Sequence, residues 1–310
     1  MIRKTIKTAC AFLLLALLLS GCSALTHAPA WAPLTSPSTS DAAVLPAPAP
    51  IGAADSVGAA AGEMQVTIFD VGQADCILVS TDGHNLLIDA GNLGQDDLVC
   101  GYLAERGVDS LDYLVATHPH ADHIGAMSAV IEHMKAIGAV LMPEAVSTTR
   151  VFERLLDSIE QRGLAITVPQ PGDSFRLGQA TIQVLSPAGD SYQDLNDDSL
   201  VLRLTFGQTA FLFAGDAGAP AETEQLAAGY DLTADVLKVG HHGSSGSSTM
   251  AYLTAVAPRW AVISCGQGNS YGHPHQQTLE RLQQSGATVL RTDEMGTIVF
   301  STDGQSIALL

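Results

Sequence analysis

The sequence predicts an α/β fold in which two mixed β-sheets pack together with helices outside. Three observations carry that expectation. Short runs rich in β-branched and apolar residues alternate with stretches that carry apolar residues at helical spacing. Some predicted strands follow one another through glycine-rich turns whereas others are separated by helices, and strand pairs mixed with helices in this way suggest mixed sheets. Apolar residues are 46% of the 310-residue chain and charged residues only 15%, enough apolar material for a large core and far from the composition of a disordered polyelectrolyte.

The elements follow in order. Residues 64–70, 76–80 and 85–88 read as consecutive strands with glycine-rich turns between them, and residues 98–106 as a helix before a strand at 111–116. Residues 124–134 and 149–162 have helical periodicity, the second stopped by Gly163. Strands are predicted at 180–185, 200–206 and 209–214, the last two joined by Gly207-Gln208. Helix (221–228), strand (236–239), helix (249–256), strand (261–264) and helix (276–284) then alternate, and strands at 288–290, 297–300 and 306–309 close the chain.

The folded domain is therefore expected at residues 63–310, and what precedes it reads as address and tether. Arg3, Lys4 and Lys7 come before eleven consecutive apolar residues, 9–19, too few for a bilayer core that needs about 20. The run ends in Leu19-Ser20-Gly21-Cys22, which resembles a bacterial lipobox. Residues 1–21 are thus expected to be a lipoprotein signal peptide and Cys22 the lipidated residue that anchors the chain to a membrane outside the cytoplasm. Residues 22–62 hold six of the fourteen prolines and much alanine, serine and threonine, the composition of an extended linker. Of the five cysteines, Cys76, Cys100 and Cys265 stay in the mature domain; Cys76 and Cys265 lie in apolar runs and read as buried thiols.

Charge narrows the function. The formal charge of −18 becomes −21 once residues 1–21, with three basic and no acidic side chains, are removed. Such acidity argues against a general binder of long nucleic acid, which carries a basic footprint. It leaves open an anionic substrate held through metal ions.

Seven of the ten histidines fall in three tight clusters, each after a predicted strand. The first is Thr117-His118-Pro119-His120-Ala121-Asp122-His123. In an extended loop His118 and His120 project to one side, and Asp122 and His123 follow as the chain turns into a helix. Imidazole and carboxylate donors suit Zn²⁺, and also Mn²⁺ or Fe²⁺. Four donors within six residues exceed what one tetrahedral ion needs beside remote ligands, so the spacing points to two ions. The other clusters are His241-His242 and His273-Pro274-His275.

This H-x-H-x-D-H segment resembles the signature of the metallo-β-lactamase-fold hydrolases. Leu86-Leu87-Ile88-Asp89-Ala90-Gly91, Phe213-Ala214-Gly215-Asp216 and Leu237-Lys238-Val239-Gly240-His241-His242-Gly243-Ser244 resemble three further elements of that family. With Phe69-Asp70-Val71-Gly72-Gln73-Ala74-Asp75, Asn196-Asp197-Asp198-Ser199 and Tyr271-Gly272-His273-Pro274-His275, the pattern is similar to the metallo-hydrolase domain of ComEC-type competence DNA-uptake proteins over about residues 64–300. The chain departs from it at Ala74, where the family has glycine, and at residues 196–198, where the broad fold usually supplies a third histidine to the first metal.

The resemblance implies an αββα sandwich with a binuclear metal site. It implies that His118, His120 and Asp216 hold the first ion, with Asp198 the carboxylate available in place of the missing histidine. Asp122, His123, Asp216 and His241 would hold the second, with His242 as the alternative, because adjacent residues at an extended strand end do not both point inward. Asp89 would orient the metal loop from behind. The cofactors expected are two divalent ions, Zn²⁺ first and Mn²⁺ as the alternative, with a bridging water as nucleophile. His273 is expected to contact substrate or protonate the leaving group, and Asp70 to line the site. Asp75 reads as a turn residue. The activity expected is a phosphodiesterase or nuclease acting on a small, nucleotide or wall-linked phosphodiester. The alternatives are hydrolysis of a β-lactam, lactone or thioester, and a non-catalytic binding lipoprotein.

Overall fold

The computed structural model describes residues 62–189 and 192–310. The expected signal peptide, Cys22 and most of the linker lie outside the described residues. The first sheet holds β1 (Met64–Ile68), β2 (Ile77–Thr81), β3 (His84–Ile88), β4 (Ser110–Val115), β5 (Ala136–Leu141), β6 (Ile166–Thr167), β14 (Ile298–Thr302) and β15 (Ile307–Leu309). Their order is β15-β14-β1-β2-β3-β4-β5-β6. The second sheet holds β7 (Ser174–Leu177), β8 (Ala180–Ser186), β9 (Val201–Phe206), β10 (Thr209–Phe213), β11 (Val236–Lys238), β12 (Trp260–Ile263) and β13 (Thr288–Arg291), in the order β13-β12-β11-β10-β9-β8-β7.

Both sheets are mixed, as expected, and the connections show why. Where strands follow one another with no helix between them among the described residues, as β1-β2-β3 and β7-β8-β9-β10 do, they pair antiparallel. Where a helix intervenes, as in β3-β4-β5 and β10-β11-β12-β13, they pair parallel.

Alternation along the strands builds the layers. In β3, Leu86 and Ile88 face the second sheet in a core shared with Phe175, Ile182, Leu202, Leu204, Phe211 and Phe213. Leu87 points the other way, into a core with Leu114, Val140 and the helices that carry Val99, Leu103, Met127, Ile131 and Leu155. The outer face of the second sheet repeats this with Leu212, Leu237 and Ile263 under Ala221, Leu253 and Leu282. The result is the four-layered αββα sandwich expected.

The predicted helix at 124–134 is two helices, Ala121–Ile124 and Met127–His133. They meet at Gly125, where a Cβ would sit 2.1 Å from the carbonyl carbon of Asn92. That close approach seats the first metal-binding segment against the loop after Asp89, and periodicity alone does not report it. Strands β5, β6 and β7 were not read from the sequence. β5 is an apolar run broken by Gly138, β6 is only two residues long, and β7 carries Arg176 in a run of four. Cys76, Cys100 and Cys265 are all free thiols, Cys76 and Cys265 buried. Among the described residues no helix is long and apolar enough to cross a membrane.

Candidate metal centre

The three histidine clusters come together at one edge of the sandwich, around Asp216. From the end of β4 the chain bends through residues 117–119 to His120, which is extended and opens the helix Ala121–Ile124. His118 and His123 are completely buried. Nε2 of His118 lies 3.0 Å from Nδ1 of His120 and 3.8 Å from Oδ2 of Asp216. Nε2 of His123 lies 3.3 Å from that same oxygen.

Asp89 fixes this segment from below. It is fully buried and adopts φ 58°, in the left-handed region that aspartate tolerates. Its carboxylate accepts from the Thr117 amide at 2.8 Å and the Thr117 hydroxyl at 2.7 Å, and lies 2.7 Å from His123 Nδ1. A carboxylate only accepts, so Nδ1 of His123 is the donor and Nε2 faces Asp216. Burial disfavours a charged His123, but Asp216 and Asp89 outweigh it and hold its pKa well above the usual histidine range. His118 has no such pair of carboxylates; burial, with His123 beside it, holds it well below that range.

Asp216 ends the turn after β10. Gly215 adopts φ +53°, and a Cβ there would meet the Ser199 Cβ at 3.0 Å. The Ser199 hydroxyl accepts from the Asp216 amide at 3.0 Å and lies 3.3 Å from His118 Nδ1. Burial works against ionised Asp216, yet His123 and His242 keep its pKa well below the usual carboxylate range.

The third segment corrects an expectation. Residues 240–243 form a 3₁₀ turn in which His241 (φ 49°) and His242 (φ 51°) are both left-handed. The strand ends at Lys238, so strand alternation no longer applies and both rings face Asp216. His242 Nε2 lies 3.5 Å from Asp122 Oδ2 and 3.7 Å from Asp216 Oδ1, with Nδ1 3.0 Å from the Ser264 carbonyl oxygen. His241 Nε2 lies 3.9 Å from the other Asp216 oxygen and is partly open to solvent. Burial raises the Asp122 pKa, but the nearby His242 ring and the charge of His123 bring it down to about 2.

The donor atoms of Asp122, His123, Asp216 and His242 all lie within 4.8 Å of one another. Three buried atoms in that set, His123 Nε2, Asp216 Oδ1 and His242 Nε2, have no hydrogen-bond partner. Buried polar atoms are normally paired, and leaving one unpaired costs about 1–3 kcal/mol. Orphans that converge on one point fit a cation, and histidine and carboxylate donors fit a divalent metal.

The remaining expected residues divide. His273 joins the centre: its ring lies 5.5 Å from that of His241 and 6.4 Å from that of His242, with Nδ1 3.4 Å from Gln73 Nε2. Burial first, and then His241, His242 and His275, lower its pKa to about 4. Asp198 is half-buried and not one of the four donors that lie within 4.8 Å of one another, and its pKa is raised by burial and by Asp197 and Asp194. Asp70 serves its own turn: its carboxylate accepts from the Gly72 amide at 3.1 Å, and its backbone binds Thr297 and Tyr102. His275 Nδ1 accepts from the Ser245 amide at 2.9 Å, which ties two loops together.

A profile of the metallo-β-lactamase superfamily matches residues 69–267. The chain belongs to the metallo-β-lactamase superfamily. Among curated members of known sequence it is 33% identical over 257 residues to ComE operon protein 3 of Bacillus subtilis, covering 77% of this chain and 33% of that protein. It is 33% identical over 241 residues to competence protein ComA of Neisseria gonorrhoeae, covering 77% and 32%. The chain thus spans about a third of the length of these relatives. Among solved metallo-β-lactamase folds, the Bacillus subtilis protein YhfI aligns over 78% of this chain and 100% of its own, at 14% identity and a TM-score of 0.52.

Two features of the site lie beyond the sequence reading. Asp75 is not merely a turn residue, for it is buried and paired with Lys238. Lys238 carried a signal, a lone charge inside the apolar strand Val236-Leu237-Lys238-Val239. Ser199 gave none, because a serine at a strand start is ordinary.

Proposed function

We propose that this chain is a lipid-anchored hydrolase outside the cytoplasm that uses two divalent cations, Zn²⁺ or Mn²⁺, to cleave a phosphodiester. The observation that carries the reading is the convergence of unpaired buried donor atoms on a central carboxylate, Asp216. His118 Nε2, His120 Nδ1, His241 and Asp216 would hold one cation. Asp122, His123, His242 and Asp216 would hold the other. His241 then takes the place for which the sequence offered Asp198. The short separations among them, such as His123 to Asp216 at 3.3 Å and His242 to Asp122 at 3.5 Å, lie near the roughly 3.4 Å edge of a tetrahedron around an ion with bonds of about 2.1 Å.

When bound, such a pair of cations supplies Lewis acidity and lowers the pKa of water toward neutrality. The protein's own groups do the positioning. Asp216 keeps both halves of the centre in register. Asp89 selects the His123 tautomer whose Nε2 faces inward. His273, with its pKa near 4, is uncharged at neutral pH, so it hydrogen-bonds a substrate oxygen rather than delivering a proton from an imidazolium.

The central aspartate favours a phosphodiester over a lactam, since the lactam-cleaving enzymes that this family resembles usually carry cysteine there. The names of the curated relatives speak of competence. This chain matches a third of their length and has a formal charge of −18, so the substrate we favour is a small, nucleotide or wall-linked phosphodiester rather than long DNA. The relatives' names and the Leu19-Ser20-Gly21-Cys22 motif together support a place at the cell envelope.

The test is hydrolysis of bis(p-nitrophenyl) phosphate by the Zn²⁺- or Mn²⁺-loaded protein. Turnover is expected, and His120→Ala is expected to abolish it. Activity untouched by that substitution would refute the site, and nitrocefin turnover without phosphodiester turnover would replace the substrate class.

A further inference from the structure

One buried cation sits behind the ligand cluster. Lys238, the last residue of β11, is 1% exposed, and its Nζ lies 2.8 Å from Oδ2 of Asp75, which is equally buried. The ammonium also donates to the Val239 carbonyl at 2.9 Å. Burying two charges carries a desolvation cost of several kcal/mol per ion, and well-packed apolar residues are often as stable. A stabilising role therefore explains this pair poorly.

Its surroundings explain it better. The second oxygen of Asp75 has no hydrogen-bond partner and lies 3.5 Å from Nδ1 of His242. That nitrogen also faces the Ser264 carbonyl oxygen at 3.0 Å. Both neighbours on that side of the ring are acceptors, so Nδ1 bears the proton and Nε2 turns its lone pair toward Asp122 and Asp216. The backbone of Asp75 reaches the other ligand segments. Its amide donates to the Asp122 carbonyl at 3.1 Å, and its carbonyl accepts from the Gly91 amide, two residues after Asp89, at 2.8 Å. Asp75 lies between β1 and β2 of the first sheet, and Lys238 lies in the second. The ion pair joins the two halves of the molecule where the ligands meet.

We propose that the Asp75–Lys238 pair is a positioning device for His242. Beside the hydrogen-bonded Ser264 carbonyl, the Asp75 carboxylate favours the Nδ1–H tautomer, its backbone ties the Asp122 segment to the loop after Asp89, and Lys238 supplies the countercharge that lets a carboxylate occupy that buried place. The proposal deepens the two-cation reading and rests on it for metal affinity, but not for the tautomer.

The test compares the full chain with Lys238→Met, Asp75→Asn and the double variant. Urea unfolding of the metal-free proteins reports stability, and competition with a chromogenic chelator reports Zn²⁺ affinity at both sites. Lys238→Met alone strands a buried carboxylate and is expected to lower the unfolding midpoint; the double variant is expected to recover it. Affinity at one site is expected to fall about 10- to 100-fold in Asp75→Asn and to stay low in the double variant. If affinity recovers together with stability, the pair is merely structural and the proposal is overturned. Nitrogen NMR of metal-free protein, at a pH where His242 is neutral, is expected to show the Nδ1–H tautomer in wild type and a mixture in the double variant. An unchanged tautomer overturns the proposal as well. Wild-type protein that binds no Zn²⁺ overturns the two-cation reading instead, and the tautomer then decides the role of the pair alone.

Discussion

Asp89→Asn tests how this centre is preorganised. The substitution keeps size and shape, and asparagine tolerates the φ of 58° at this position. It changes only what the side chain offers. Asp89 serves three groups: the Thr117 amide, the Thr117 hydroxyl and Nδ1 of His123. Asparagine has one oxygen, and the rotamer that keeps the Thr117 amide paired places it there. The Nδ2 donor then faces the Thr117 hydroxyl and His123, both of which can accept. His123 Nδ1 therefore becomes the acceptor, and the ring proton moves to Nε2, pointing at Asp216. That tautomer has no lone pair for a cation. Metal-supporting partners of this kind are typically worth 10- to 100-fold in affinity, or about 1.4–2.7 kcal/mol. Because the amide satisfies the same neighbours with reversed polarity, stability is expected to change less than affinity. Calorimetric titration of the metal-free variant should show one site weakened by that factor and the other preserved. If both sites bind as in wild type, the tautomer argument is wrong; if both are lost with the fold, the role of Asp89 is structural.

Four further outcomes follow from the electrostatics and hydrogen bonding of the site. The raised pKa of His123 means that its imidazolium is populated in metal-free protein at neutral pH, so loading must expel a proton. Calorimetry in buffers of different ionisation enthalpy is expected to show proton release, with affinity falling as pH falls. The same imidazolium stabilises metal-free protein fully below about pH 6.5 and ceases to as pH rises through the raised pKa; a metal-free protein that gains stability over that rise would contradict it. Glu222, buried, accepts from the amides of Ser248 and Thr249 and so anchors the loop after the 3₁₀ turn. Glu222→Ala orphans both donors and is expected to cost about 2 kcal/mol or more in urea unfolding; an unchanged midpoint refutes that anchoring. His273→Gln is expected to slow turnover without shifting the acid limb of the pH–rate profile above pH 5, because the wild-type ring titrates at about 4. A limb between pH 6 and 7 that vanishes in the variant would restore His273 as the proton donor.

Much of this was legible because local patterns carry local physics. Alternation placed Leu86 and Ile88 on one face and Leu87 on the other, and the loops between tight pairs and helical crossovers made the sheets mixed. The spacing of His118, His120, Asp122 and His123 announced a metal loop because four donors were packed into six residues. Asp198 was offered from its position along the chain, which says nothing of direction, and it is not among the four donors that gather within 4.8 Å of one another. Asp70 and Asp75 looked alike as the two ends of one turn. One serves that turn and the other is buried against Lys238, a residue far away in sequence.

The sequence by itself determined the layers, the superfamily signature and most of the donors, since these depend on periodicity and short spacing. Tertiary structure alone decided which donors meet. The left-handed turn at His241 and His242 overrides the strand alternation that would have turned one of them away. The Asp75–Lys238 pair forms only when the two sheets close on each other. Such contacts depend on backbone dihedrals and on residues distant in the chain, and a linear pattern encodes neither.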